Sequence, residues 1–341
     1  MVVAAAVAAT TLGGVAQATP RYLSSGPGNL THLYVADRGA GTVRVYRSDS
    51  SGNAQPERVL PLDGACGPTD VWGIATGPRG EVFTQSYLGE SCTRVLTPAG
   101  QPVRTFRSFN RDSPSIAVGA DGVIYVARLQ APQIEIFGPN ASGTVEPDRV
   151  LTVDGLPRSL TVDPAGELVV AVQSGPAGNA VEVFAPGAAG AAIPLRRIAG
   201  PHTGLGTSQG FLGGDQVVVT SSPLTHRLYA AVTPAPVSPG TGEPGLHTHI
   251  AVFPETATGD AAPLRTIAGS RTGLDGTTLT GIANNPASGN IWVMATQGIF
   301  GPTGQVLDFN RLADGNATPV RSFTDATTRF ADVQSITFNT R

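Results

Sequence analysis

Ile124-Tyr125-Val126-Ala127, Ile134-Glu135-Ile136-Phe137 and Pro147-Asp148-Arg149 follow one another in a single short span. A β-branched and aromatic run, a second run with strand-like alternation ending on an aromatic residue, and a Pro-x-Arg triplet read as strand, strand and the start of a third. The same succession returns along the chain. Pro-x-Arg occurs at Pro56-Glu57-Arg58, Pro102-Val103-Arg104, Pro147-Asp148-Arg149, Pro194-Leu195-Arg196, Pro263-Leu264-Arg265 and Pro319-Val320-Arg321, with spacings of 46, 45, 47, 69 and 56 residues. Each triplet is preceded by a strand-like segment: Val43 to Tyr46, Arg94 to Leu96, Ile134 to Phe137, Val181 to Phe184, Ile250 to Phe253 and Val306 to Phe309. Ahead of these lie Leu33–Ala36, Val82–Thr84, Ile124–Ala127, Leu168–Ala171, Leu228–Ala231 and Ile291–Met294.

Five of the six units have one more apolar strand in front, often ending at a hairpin signal such as Asp121-Gly122 or Pro164-Ala165-Gly166. The first unit lacks it, while Ser335 to Phe338 stands alone after the last triplet. Four strands in each of six units, at about 54 residues per unit, predict an all-β fold, a six-bladed β-propeller of antiparallel blades. The C-terminal strand then completes the N-terminal blade and closes the ring, which removes the exposed ends of the array. A proline opening each outermost strand suits an edge, where a ladder donor can be lost. The arginine of the triplet is expected to be solvated or locally paired.

Composition agrees with this reading. The 341 residues include 43 Gly and 28 Pro, with 14% charged and 40% apolar residues, a balance that excludes a helical bundle and still provides a sizeable core. All 22 basic residues are Arg. Without lysine there is no Schiff-base or P-loop ammonium chemistry. A net charge of −3 with scattered arginines offers no basic stripe for a nucleic acid.

At the N-terminus, Val2 to Ala9 is apolar and Ala16-Gln17-Ala18 is a small-x-small cleavage signal. Residues 1–18 are therefore expected to be a secretory signal peptide, 19–29 a linker and 30–341 one propeller domain. The apolar run is shorter than the roughly 20 residues a membrane span needs. In an exported chain, secreted, extracellular or periplasmic, Cys66 and Cys92 are expected to form a disulfide. Asn29, Asn140 and Asn316 head glycosylation sequons.

Val35-Ala36-Asp37 followed by Thr42-Val43-Arg44-Val45-Tyr46 resembles the NHL-repeat pattern, and residues 30–341 are similar to the wider group of six-bladed propellers that includes NHL proteins and the TolB-like and gluconolactonase-like families. The resemblance implies ligand sites on the face built from inter-blade loops and second-to-third-strand loops, where both cysteines fall. The lactonase relatives hold a divalent metal through Glu, Asn and Asp. Here the positions before the inner-strand aliphatics are Gly73, Ser115, Ser159, Gly281 and Ser335, so that centre is not expected.

Several residues on that face are candidate ligands. Asp332, Asp70 and Asp112 each precede an inner-strand aliphatic (Ile336, Ile74, Ile116) by four positions, and converging carboxylates suit Ca²⁺ as readily as they suit separate Asx turns. His247 and His249, in the insertion 233–249, are candidate Zn²⁺ ligands, a use with a parallel in the propeller lyases that cleave amidated-peptide precursors. His202 occupies another expanded loop. Trp72 and Arg158 are candidates for recognising a small molecule, glycan, peptide or carboxylate. The Gly-x-Ser-x-Gly match at Gly206 to Gly210 lacks the strand-to-helix elbow that motif requires.

Three function classes remain. The first is an exported, non-catalytic propeller binding a ligand or protein on its loop-rich face. Another is a metal-dependent hydrolase or lyase at the channel mouth using Ca²⁺ or Zn²⁺. A structural surface module with an apolar rim is the third.

Overall fold

The computed structural model describes residues 31–339 except 63–65, 67–69, 87–89, 112, 176–177, 207–214, 236–246 and 299, and excludes the side chains of 90, 109–111 and 174–175. The expected leader, its linker and Asp112 lie outside the described residues. Every regular element described is a strand, and no described helix is long and apolar enough to cross a membrane.

The strands form six sheets. Blade 1 consists of Val333–Phe338, His32–Asp37, Thr42–Arg47 and Arg58–Pro61 from the axis outward. The C-terminal strand pairs antiparallel with the first, Leu33 opposite Phe338 and Val35 opposite Ile336, so the ring closes as the missing strand requires. The inner strands of blades 2 to 6 are Gly73–Thr76, Ile116–Val118, Leu156–Val162, Gln216–Ser222 and Thr278–Asn284. Each touches the inner strand of the next blade around the axis.

The core explains why the strands are apolar on both faces. Buried hydrophobic residues fall into clusters between adjacent blades. Because successive side chains of a strand point to opposite faces, Leu33 and Val35 pack toward blade 6 while Tyr34 and Ala36 pack toward blade 2. Small residues beside the axis let inner strands approach. A Cβ on Gly281 would lie 2.9 Å from the Ile336 amide nitrogen, and Ser115 and Ser159 accept the Leu160 and Val219 amides at 3.1 Å each.

The outer strands differ from expectation in one detail. In five blades the strand begins at the arginine of Pro-x-Arg, and only Pro102 itself opens a strand. Pairing still starts one residue after the proline, as in Glu57, Leu195, Leu264 and Val320, whose amides each donate to a third-strand carbonyl at 2.8 Å.

A longer motif surrounds five of the triplets, Gly-x-Ala/Val-x-Pro-x-Arg, beginning at Gly52, Gly143, Gly190, Gly259 and Gly315. All five glycines have positive φ, from 55° to 76°. The segments they open dock parallel on the outer strand of the preceding blade, where Ala54, Val145, Ala192, Ala261 and Ala317 pack into the inter-blade core. The arginine reaches the other way, to the next blade. Arg58 donates to Pro98 O, Arg104 to Pro139 O and Ala141 O, Arg149 to Gly187 O, Arg265 to Arg311 O and Ala313 O, and Arg321 to Ser48 O. Arg196 instead pairs with Glu167 in its own blade. The repeated arginine is therefore mainly an inter-blade clip, not a solvated residue, because the third-to-fourth-strand loop of the neighbour brings carbonyls within its reach.

Candidate functional site

The loop-rich face carries one tightly built cluster where blades 6, 1 and 2 meet. Its base is the buried Asp325, at the end of the outer strand Arg321–Asp325. Asp325 accepts the Thr327 and Thr328 amides at 2.7 and 2.6 Å, the Tyr46 hydroxyl at 2.5 Å and Arg44 Nη1 at 3.1 Å. Burial raises this carboxyl, but hydrogen bonds from Thr327, Tyr46 and the Thr327 and Thr328 amides outweigh it and hold the group far below the usual carboxylate range. Arg44 also faces the buried Asp37 at 3.0 Å, and burial raises the Asp37 carboxyl.

Held by this hub, the following loop takes a conformation that side chains resist. Arg329, Phe330 and Asp332 have φ of 54°, 54° and 57°, in the left-handed region where non-glycine residues are rare. Phe330 is fully buried and anchors it. The loop presents Asp332 to Arg38, in the turn between His32–Asp37 and Thr42–Arg47. Arg38 Nη1 donates to Asp332 Oδ2 at 2.5 Å and Arg38 Nε to Asp70 Oδ1 at 2.7 Å. Gly39 is required here, since a Cβ would meet Ala331 O at 2.7 Å.

Aromatic rings complete the cluster. Trp72 Nε1 donates to Asp70 Oδ1 at 3.0 Å, and the Arg38 guanidinium lies 5.3 Å from the Trp72 ring and 5.6 Å from the Phe300 ring, within cation–π range. The two rings meet edge-on at 5.9 Å. Trp72 is buried and Phe300 is 54% exposed, so the tryptophan supports and the phenylalanine is presented. Asp332 N donates to Gly301 O at 3.1 Å, tying the Phe300 turn to the strained loop.

Asp70 and Asp332 thus converge, and what they converge on is a guanidinium. His247 and His249 have opposite surroundings. His247 is exposed, 3.8 Å from Asp275; His249 is buried and donates from Nδ1 to His247 O at 2.8 Å. Burial pushes the His249 imidazole below its usual range. His202 is exposed and pairs with Asp260, while Arg158 bridges to Gln216 on the next blade. Among the described residues no three His, Cys, Asp or Glu side chains gather as a metal set. The Cys66–Cys92 disulfide is present, with Cα atoms 5.6 Å apart. Cys92 lies within the third strand Glu90–Leu96 and not in the loop before it. Of the Gly-x-Ser-x-Gly match only Gly206 is described.

Three residues of this face escaped the sequence reading. Phe300 carries no repeat signal. Arg38 follows the Val35-Ala36-Asp37 motif, but its role depends on chains that meet only at ring closure. Asp215 had a legible signal, four residues before Val219, the same offset as Asp70. It is buried and accepts the Ala235 amide at 2.8 Å, and a Cβ on Gly206 would lie 2.1 Å from its Oδ2.

No protein-family model and no curated protein matches the sequence. Solved structures match its shape. The crystal structure of a nidogen/laminin complex superposes with a TM-score of 0.59 at 15% identity, covering 91% of this chain and 98% of that one. Kuenenia stuttgartiensis hydrazine synthase gives 0.55 at 12% identity, covering 86% and 80%. The chain is a six-bladed β-propeller. At these identities the likeness extends to the fold alone; the propeller's loop face has to be interpreted from its own residues.

Proposed function

We propose that this propeller is an exported, non-catalytic module, NHL-like in its first blade, that binds a protein partner on its loop-rich face around Phe300. The observation that carries this is the strained loop 329–332, over-determined by Asp325, which fixes Asp332, Arg38 and Trp72 beneath a half-exposed aromatic ring. Local strain is concentrated at sites where geometry matters. A rigid aromatic anchor loses little entropy on binding and is a typical interface hot spot. The engagement of Asp70 and Asp332 by Arg38 supports recognition over a metal-assisted hydrolase or lyase. The disulfide fits an oxidising compartment, and a propeller of this shape occurs in a two-protein complex, nidogen/laminin.

The test is site-specific photo-crosslinking in the exported fraction of producing cells, with the photoreactive residue at position 300 and, as control, at the exposed rim residue Leu195. A discrete crosslinked protein at position 300 only, whose recovery falls about tenfold with Arg38→Ala, is the expected result. Equal labelling from both positions, or none from position 300, would overturn the reading.

A further inference from the structure

Among the arginines whose side chains are described, all but one engage a partner through the guanidinium. Arg38 holds Asp70 and Asp332, and Arg44 holds Asp37 and Asp325; the clips reach carbonyls of a neighbouring blade. Arg329 is the exception. It is exposed, and among the described residues its guanidinium makes no hydrogen bond, ion pair or ring contact.

Its backbone, by contrast, is fixed. Arg329 N donates to Asp325 O at 3.1 Å and Arg329 O accepts the Gly304 amide at 2.9 Å, at a φ of 54° that disfavours any residue with a Cβ. Elsewhere in the chain glycine takes this region freely, as at Gly52 and Gly143. A long cation that binds nothing in the fold, held where glycine would be easier, has no structural use there.

Hydrogen bonding joins it to the Phe300 surface. The bond from Gly304 to Arg329 and the bond from Asp332 N to Gly301 O, at 3.1 Å, lay the loop 329–332 alongside the turn 301–304, with Arg329 at one end and Phe300 beside the other. Between them Pro302 is also exposed. Phe300 and Gly304 are four residues apart, at most about 14 Å of chain, so an extended peptide of a few residues can cover both ends. A guanidinium forks onto a carboxylate with two parallel hydrogen bonds, and an exposed ring takes an apolar side chain. One free arginine above Asp37, Asp70, Asp325 and Asp332 does not supply the positive field that a nucleic acid requires.

We propose, resting on the partner-binding reading of this face, that the partner is gripped through an extended segment that is acidic and apolar at once: an Asp or Glu carboxylate pairs with Arg329, and an apolar side chain a few positions away packs on Phe300.

The probe is a library of random peptides displayed on phage and selected on the immobilised full chain, with enriched sequences resynthesised and measured by fluorescence anisotropy. Enriched peptides are expected to combine Asp or Glu with a nearby Leu, Met, Phe or Trp, and Phe300→Ala should abolish their binding. Arg329→Asn, a residue the left-handed region tolerates, should weaken them about tenfold, and Arg329→Glu should abolish binding. Arg329→Gly should weaken binding equally without lowering the melting temperature, because the guanidinium makes no contact in the fold. Peptides that need Phe300 yet are unmoved by Arg329→Asn and Arg329→Glu would overturn the acidic segment and leave the partner surface standing. Peptides indifferent to Phe300→Ala, or no enrichment at all, would overturn both. A melting temperature lowered by Arg329→Gly would assign the side chain to the fold and overturn the proposal.

Discussion

The junction of blades 6 and 1 and the junction of blades 1 and 2 are neighbours on one ring, yet they are held by different means. At the first, Gly52–Ala54 docks on Arg321–Asp325 over three residue pairs, and the buried Asp325 gathers Arg44 and Tyr46 from blade 1. This is where the two ends of the chain meet, so it must be fastened by groups remote in sequence. At the second, the turn from Thr97 to Gln101 is short, no docking segment is present among the described residues, and the Cys66–Cys92 bridge fastens the inter-blade loop to blade 2. The lesson is that a ring needs every junction closed: here the arginine clip from Arg58 to Pro98 O is kept, and a disulfide accompanies it where the docking segment is missing.

The comparison can be broken most severely at Asp325. Asp325→Ala leaves Arg44 with Asp37 as its one remaining carboxylate and takes the acceptor from the Tyr46 hydroxyl and the Thr327 and Thr328 amides, and at about 1 to 3 kcal/mol for each buried donor left unsatisfied the loss is about 4 kcal/mol. Urea unfolding should show that loss, and the Phe300 cluster should loosen with it. Because the folded pKa of Asp325 is depressed, its contribution is complete at neutral pH and disappears as pH falls below the ordinary carboxylate range.

Opening the other junction comes next. The bridge spans 26 residues, for which the chain-entropy model gives about 3.5 kcal/mol. Cys66→Ser with Cys92→Ser should lower stability by up to that amount in reversible denaturation, with no change in the Tyr46 environment at the neighbouring junction.

A smaller effect sharpens the closure itself. Asp308 is buried, accepts Asn290 Nδ2 at 2.9 Å and lies 3.7 Å from Arg321, the residue that clips Ser48 of blade 1. Burial raises its pKa from the ordinary 3.8 to about 6. A raised carboxyl contributes stability below pH 3.8 that is lost as pH rises through about 6. Asp308→Asn should therefore match the wild type near pH 4 and exceed it by about 3 kcal/mol at pH 7, measured by thermal unfolding across that window. Identical pH profiles for the two proteins would show that Asp308 does not titrate with folding.

Much of the architecture was legible because it repeats. The Pro-x-Arg spacing counted the blades, and the lone strand at Ser335 to Phe338 announced the closure. The longer glycine motif was equally visible and equally periodic; its meaning was not, since the arginine's partners are carbonyls of a neighbouring blade and carbonyls carry no sequence signal. At the loop face, the offset shared by Asp70 and Asp332 marked a real convergence. The identity of the cation between them was hidden, because Arg38 and Asp332 are 294 positions apart and meet only when the ring shuts.

By itself, then, the sequence determined the local alternation, the number of blades, the closing strand and the cysteine pair, all properties set by nearest neighbours or by repetition. Tertiary structure alone decided that Arg38 lies between two carboxylates and that Phe300 faces solvent over a buried tryptophan. Those outcomes depend on which backbone atoms closure brings within a few ångströms, and no periodicity in the chain encodes that distance.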